Sequence, residues 1–431
     1  MDALSAPEEN KEVDRLEYVD KAPVDCIIEQ RETLPFFKDP KIKLSVWTII
    51  KDAIGKDLSQ FSVPVFFNTP MSMLQGVCYI TEQSHVLDKA AIEQNPIKRL
   101  AYVGCFNAVF LSYNEKFPSK PFNPLLGETF ELQVPGKFKY IAEQVSHHPP
   151  IAALYTIGET GYVINSQFRP KNRLSKGGLQ FFNQYKDVLE LPKFGERFQL
   201  VPVPMSVHNL IIGSPYMDLW GKSYVKNCAC PKEQYVELIF HKRGWSQDSY
   251  FRFDGNVYSA AGKIAYKIEG KWNQNCYLID VNTGERELVW TKPPYPENAD
   301  YMYGMTQYAL QFNHLTDSMK PYLPPTDCRF RPDQRALENG DFKMAASEKN
   351  RLEEKQRAVR KYNEKNGITP KPFYFDEVEN PDDPGVTYYR YNGKYFEQDR
   401  KDLNWSRLPD LYTDRLPPAI EEFKKQTQKK K

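Results

Sequence analysis

The stretch GETFELQVPGKFKYIAEQV, residues 127–145, decides the fold. Before its Pro-Gly pair, Phe130, Leu132 and Val134 occupy one side of an alternating run; after it, Phe138, Tyr140 and Ala142 repeat the pattern. Alternation with period two sends successive side chains to opposite faces of a strand, and Pro-Gly between two such runs is a turn, so the stretch predicts a β-hairpin. Further strand-like runs follow through residue 291: GYVINSQFR, RFQLVPV, SVHNLIIG, YVELIFHK, KIAYKIEGKW, CYLIDVN and RELVWT. The turn signals FDGN, SAAGK and NTGE separate them. So many strands in succession, without alternating helices, predict a large antiparallel meander or barrel and exclude Rossmann and TIM architectures.

Helical patterns flank this region. NPIKRLAYVGCFNAVFLSYNEK, residues 95–116, is apolar nearly all round, as a buried helix would be. In LSVWTIIKDAIGKDLSQF, residues 44–61, Trp47, Ile50, Ile54, Leu58 and Phe61 recur at helical steps. That amphipathic segment either packs on its own core or forms a lid over a cavity. SEKNRLEEKQRAVRKYNEKNG, residues 347–367, reads as a charged helix with Ser347 as N-cap and Gly367 at its end. Four segments result: a polar arm (1–30), a lid segment (31–60), helices plus a β core (61–330), and a helical C-terminal part with a basic tail (331–431).

Composition narrows the function. The 58 basic and 56 acidic side chains nearly cancel, to a net charge of +2, which argues against a generic nucleic-acid binder. Seven cysteines, odd in number and scattered, with an acidic N-terminus that has no apolar core, suggest free thiols and a cytoplasmic protein. No apolar run approaches the roughly 18–20 residues that span a bilayer, so any membrane contact is expected to be peripheral and transient. A monomer without cofactors is expected.

The densest chemistry lies in EQVSHHPP, residues 143–150. Adjacent strand residues face opposite ways, but Pro149-Pro150 breaks regular pairing, so both imidazoles of His147 and His148 can reach one site. A metal site lacks completing ligands: there is no Cys-x-x-Cys or His-Glu-x-x-His spacing, and Cys228-Ala-Cys230 is a weak hint. A nucleophile site lacks the Gly-x-Ser-x-Gly elbow, and Ser146 beside a histidine is not a triad. Anion binding fits better, since imidazoles donate hydrogen bonds and gain charge beside a phosphate. Lys120 and Asn123 in the proline-punctuated SKPFNPLLGE add an ammonium and an amide. Lys349, Glu353 and Arg357, four residues apart on the late helix, form a stripe that suits a phosphorylated polyol. Taken singly, each group also reads as a turn or a solvated helix face.

Together these segments resemble the oxysterol-binding protein family of lipid-transfer proteins. EQVSHHPP is its signature, and IGKDLSQFSVPVFFNTPMSMLQ (54–75), SKPFNPLLGETFEL (119–132), VHNLIIG (207–213), GKIAYKIEGKW (262–272) and RLEEKQRAVRK (351–361) follow the order of its ligand-binding domain. The resemblance covers about residues 34–410. It implies an incomplete antiparallel β-barrel around a hydrophobic lipid tunnel, an N-terminal lid carrying Trp47, Ile50, Ile54 and Leu58, and a C-terminal helical subdomain. It implies a phosphatidylinositol 4-phosphate headgroup site made of Lys120, Asn123, His147, His148, Lys349, Glu353 and Arg357. The second lipid is expected to be a sterol, with phosphatidylserine as the alternative. The expected activity is exchange of the two lipids between membranes at contact sites; a non-transporting sensor and, in another class, a phosphoinositide-acting enzyme are the competing readings. Longer members carry a pleckstrin-homology domain ahead of this one, too large for the residues that precede it here.

Overall fold

We describe a computed structural model of the chain, covering residues 31–39, 63–116, 119–175, 178–209, 216–260, 262–383 and 385–428. The lid residues Trp47, Ile50, Ile54 and Leu58 lie outside the described residues, as does the polar arm. Residues 31–39 pack against the later chain: Arg31 bonds the Leu310 carbonyl and Glu338, and Leu34 is buried.

A short parallel pair, β1 (Asn68–Ser72) with β2 (Lys120–Phe122), encloses three helices in sequence: α1 (Met73–Cys78), α2 (His85–Ile92) and α3 (Pro96–Val109). Then come β3 (Thr129–Val134), β4 (Phe138–His147), β5 (Pro150–Gly158), β6 (Val163–Phe168), β7 (Pro170–Ser175), β8 (Gly178–Asn183), β9 (Asp187–Leu191), β10 (Glu196–Val201), β11 (Met205–His208) and β12 (Tyr216–Leu219). The run ends with β13 (Gly221–Asn227), β14 (Tyr235–Phe240), β15 (Arg252–Tyr258), β16 (Ile264–Lys271), β17 (Asn275–Asp280) and β18 (Arg286–Thr291). Twelve of these strands form one antiparallel sheet, ordered β18-β17-β16-β15-β14-β13-β10-β9-β6-β5-β4-β3, while β12-β11-β8-β7 form a second. The ends β18 and β3 do not pair with each other, so the barrel is incomplete.

Helix α3 is capped by Asn95, whose side chain accepts from Ile97 and Lys98 N–H, and it packs across β13–β18. Its expected all-round burial holds, with Leu100, Val103, Phe106 and Val109 at 1% exposure or less. Each such side chain contributes about 1.5–3 kcal/mol. Gly104 permits the close approach: a Cβ there would stand 2.8 Å from Ile268 and 2.9 Å from Val236.

The opening hairpin is β3–β4, with Phe130 opposite Ala142, Leu132 opposite Tyr140 and Val134 opposite Phe138. One expected turn is not a turn: FDGN lies inside β15. Glycine is required there because a Cβ at Gly255 would meet the Glu237 carbonyl oxygen at 2.2 Å. Tight strand packing, rather than chain reversal, selects it.

Strands β3–β5 are buried on both faces. Tyr140, Ala142 and Leu154 join the main core, while Ile141, Val145, Ile151 and Ala153 form a second core with Tyr374, Phe375 and Tyr395. The C-terminal part comprises α4 (Pro332–Glu338), α5 (Phe342–Lys365), a hairpin of β19 (Phe375–Glu379) and β20 (Thr387–Tyr391), short helical turns near residue 400 and α6 (Pro418–Gln428). The expected Ser347 cap is replaced by Asp341, whose carboxylate accepts from Met344 N–H at 2.9 Å. The helix starts earlier because Ala345 is buried and Phe342 packs in the same cluster, extending the apolar stripe backwards.

Candidate functional site

Three segments far apart in sequence meet beside the end of β4. The first is the loop that follows β2. Asn68 Nδ2 holds the Lys120 carbonyl at 2.9 Å, and Thr69 Oγ1 holds that of Ser119 at 3.0 Å. The fully buried Glu128 clasps the far side, accepting from Arg331 at 2.8 Å, from Leu125 N–H at 3.0 Å and from Ser72 Oγ at 2.5 Å. Arg331 also donates to the Asn123 carbonyl at 2.9 Å and to Asp333 at 2.8 Å. Held this way, Lys120 Nζ donates to Asn123 Oδ1 at 2.5 Å. Burial, then the neighbouring Lys349 ammonium, against the pull of Glu353, lowers the Lys120 pKa to about 7.

The second segment is the β4–β5 turn. Register shifts between Gln144 and Ser146, His147 pairs with Pro150, and the His148–Pro149 peptide is cis. The two imidazoles stand edge to face, 4.7 Å apart between ring centres. Glu143 belongs to the scaffold: it is buried and accepts from Phe373 N–H at 2.8 Å and Tyr374 N–H at 2.9 Å, which docks the C-terminal part onto the sheet. Tyr374 and Phe375, at the entry to β19, are accordingly buried.

The third segment is α5. Lys349 Nζ donates to the Val63 carbonyl at 2.8 Å and lies 3.4 Å from Glu353. Glu353 raises the pKa of both Lys120 and His147, so it sits within electrostatic reach of both. Two residues that the sequence reading passed over touch the histidines directly. Gln356 Nε2 lies 2.9 Å from His147 Nε2, and Arg360 donates to His148 Nε2. Arg357, the expected third member of the stripe, is exposed on α5. The reason is helical drift. Relative to Lys349, positions 353, 356 and 360 fall at about 40°, −20° and 20°, whereas 357 falls at about 80°.

Gln356 fixes where the His147 proton resides. Its Oε1 accepts from Leu126 N–H at 2.9 Å, so its Nε2 end must donate to His147. A ring nitrogen that accepts carries no proton, so neutral His147 is protonated on Nδ1, which is buried without a partner among the described residues. Burial, with His148 and Arg360 alongside, pushes the His147 pKa down to about 4. Burial and Arg360 lower that of His148 as well. The pair is thus neutral at pH 7, each ring offering an Nδ1–H donor. Near it lie Arg360 and the carboxylates Glu353 and Glu364, with Lys120 and Lys349 on the far side of Glu353. The arrangement can bind an anion that also carries hydroxyl groups. Among the described residues, no group of three His, Cys, Asp or Glu side chains could hold a metal ion.

The oxysterol-binding protein family model matches residues 45–400. Mouse oxysterol-binding protein-related protein 3 is 35% identical over 388 residues, covering 88% of this chain and 43% of the relative. Oxysterol-binding protein homolog 1 of Saccharomyces cerevisiae is 32% identical over 415 residues, covering 89% of this chain and 34% of the relative. The chain therefore spans less than half the length of these curated relatives. Among solved structures, the Osh1 ORD domain in complex with cholesterol superposes with a TM-score of 0.82 at 29% identity, covering 95% of this chain and 100% of that one. The Saccharomyces cerevisiae Osh3 ORD in complex with PI(4)P gives a TM-score of 0.77 at 29% identity, covering 90% of this chain and 100% of that one. With the family model spanning most of its length, this chain belongs to the oxysterol-binding protein family.

Proposed function

We propose that this chain is a lipid carrier that takes up phosphatidylinositol 4-phosphate and exchanges it for a second lipid, a sterol, between membranes. The observation that carries the reading is the buried Nδ1 of His147, without a partner among the described residues, and tied through Glu353 to the Lys120 and Lys349 ammonium groups. A buried donor without an acceptor is costly, and a phosphate oxygen would satisfy it. Glu353 suits the inositol hydroxyls, and Arg357 and Arg360 extend the positive field to the exposed side. The related structures that hold cholesterol and PI(4)P support the two ligand classes.

Carriage follows from solubility. Exposing an acyl chain to water costs about 0.8 kcal/mol per CH₂, and an apolar tunnel inside the incomplete barrel would remove that exposure. Two lipids that share one tunnel exclude each other, so a gradient of one drives the other. None of the described helices is long and apolar enough to cross a membrane, which suits a protein that visits bilayer surfaces.

The test is extraction from liposomes. The double variant His147→Ala/His148→Ala is expected to lose phosphatidylinositol 4-phosphate extraction while keeping sterol binding. Extraction equal to that of the parent chain would refute the headgroup assignment. Binding without movement of lipid between two vesicle populations would make the chain a sensor, and release of inorganic phosphate would make it an enzyme.

A further inference from the structure

Antiparallel pairing lets one end of the twelve-stranded sheet be followed strand by strand. The His147–Pro150 turn stands where β4 ends and β5 begins. Ala152 of β5 pairs with Phe168 at the end of β6, and Asn165 of β6 pairs with Val188 near the start of β9. Asp187 pairs with Leu200 near the end of β10, Val201 with Tyr224 of β13, and Gly221 at the start of β13 with Phe240 at the end of β14. The loop from β14 to β15 therefore leaves the same rim of the barrel as the histidine turn.

At the tip of that loop is Trp245, with a relative exposure of 103%. No hydrogen bond or ring contact of this indole is found among the described residues. The loop beneath it is nevertheless well ordered by its own bonds. Gly244 N–H donates to Ser249 Oγ at 3.0 Å, Ser249 Oγ donates to the Ser246 carbonyl at 2.6 Å, and Tyr250 N–H donates to the Gln247 carbonyl at 3.1 Å. Its base is a post of rings around one cation. The Arg243 guanidinium lies 4.1 Å from the Tyr216 ring, 4.3 Å from Tyr250 and 5.1 Å from Phe251, and its backbone N–H bonds Asp218 at 3.1 Å. Lys242 leans over Trp220. Arg252 stands directly opposite Lys271 in the adjoining ladder. Against these four cations the loop itself carries the exposed carboxylate of Asp248, while Asp254 is engaged by His241 and Asp218 is buried.

We propose that this loop is a membrane-docking finger: Trp245 enters the interfacial layer of a bilayer, and Lys242, Arg252 and Lys271 meet anionic headgroups. A fully hydrated indole forgoes burial free energy that an interface returns, and the interface is where tryptophan is favoured. Basic residues close to an anionic leaflet each add to the attraction, and the attraction fades within a Debye length. The inference rests on the carrier reading in one respect: the finger shares a rim with the headgroup site, so docking would bring that site to the lipid surface.

The test uses the full chain, vesicles of phosphatidylcholine alone or with phosphatidylserine, and a soluble short-chain phosphatidylinositol 4-phosphate. Trp245→Ala is expected to weaken binding to both vesicle types about tenfold. Lys242→Glu should weaken binding to the anionic vesicles only. Both variants should bind the short-chain ligand like the parent, since Trp245 supports no packing that its removal could disturb. Fluorescence quenching of the parent by lipids brominated in their acyl chains should fall in Trp245→Phe. Vesicle binding by Trp245→Ala equal to the parent's would overturn the proposal and assign the tip to a protein partner. Failure of the parent to bind the short-chain ligand would refute the headgroup site and leave the vesicle result to decide the finger.

Discussion

Lys120 makes the proposed headgroup site sensitive to pH in a range where phosphate itself no longer titrates. Its pKa of about 7 means that the ammonium is half-charged at pH 7. At pH 9 only about 1% remains charged. A phosphomonoester beside it favours the charged form and restores a pKa near the ordinary value of about 10.4. Binding then takes up a proton wherever the pH lies between the two values. Affinity is lost as pH rises through the lower one, by a factor of about 50 from pH 7 to pH 9, or about 2.3 kcal/mol. His147 and His148 do not blur the window, since their pKa values are shifted below their usual range. The second ionisation of the phosphate, near pH 6, also lies beneath it. Calorimetry of a soluble short-chain phosphatidylinositol 4-phosphate, run at pH 8 in two buffers of different ionisation enthalpy, should report uptake of about 0.9 proton. Lys120→Arg, charged throughout, should flatten the profile. An affinity that changes less than about threefold between pH 7 and pH 9 would refute the placement of a phosphate against this ammonium.

Two substitutions probe the supports of the site. Gln356→Leu removes the donor that holds His147 in its Nδ1–H form and leaves Leu126 N–H unbonded, so short-chain ligand binding should weaken by about 1–2 kcal/mol, read by the same calorimetry. Binding equal to the parent's would show that the tautomer does not matter. Arg331→Met strands the buried Glu128 and Asp333 carboxylates and frees the Asn123 carbonyl, so urea unfolding should report a loss of at least about 3 kcal/mol.

The fold was legible where one face of a strand is apolar and the other carries its own message. The β3–β4 hairpin could be read from Phe130, Leu132 and Val134 because they enter the main core. Between them, Glu131 and Gln133 are buried rather than solvent-facing. Glu131 accepts from Tyr395 at 2.7 Å and from Arg400 at 3.0 Å. A carboxylate whose partner comes from more than 200 residues later is indistinguishable in sequence from one facing water. Gly255 misled for the opposite reason. Glycine beside aspartate ordinarily marks a turn. Here, the space taken by the Glu237 carbonyl selects it.

The site divides along the same line between local pattern and global geometry. Lys120 and the histidine pair stand out because a cation or an imidazole next to prolines already suggests anion chemistry, and Lys349 because it opens a charged stripe on a helix. Gln356 does not, because a neutral amide on a charged helix carries no signal until Leu126 is known to occupy one end of it and His147 the other. Steps of four residues also drift by about 40° each, so a stripe drawn as 349, 353, 357 leaves the sector that 349, 353, 356 and 360 keep. The helix therefore offers two kinds of residue to the proposed headgroup site. Lys349, Glu353, Gln356 and Arg360 are held by contacts that fix their geometry. Arg357, on the exposed flank, is placed to reach for a charged group from outside. On that division, removing Gln356 should alter how tightly the headgroup is held, whereas removing Arg357 should act chiefly through the field around it and fade as salt is raised.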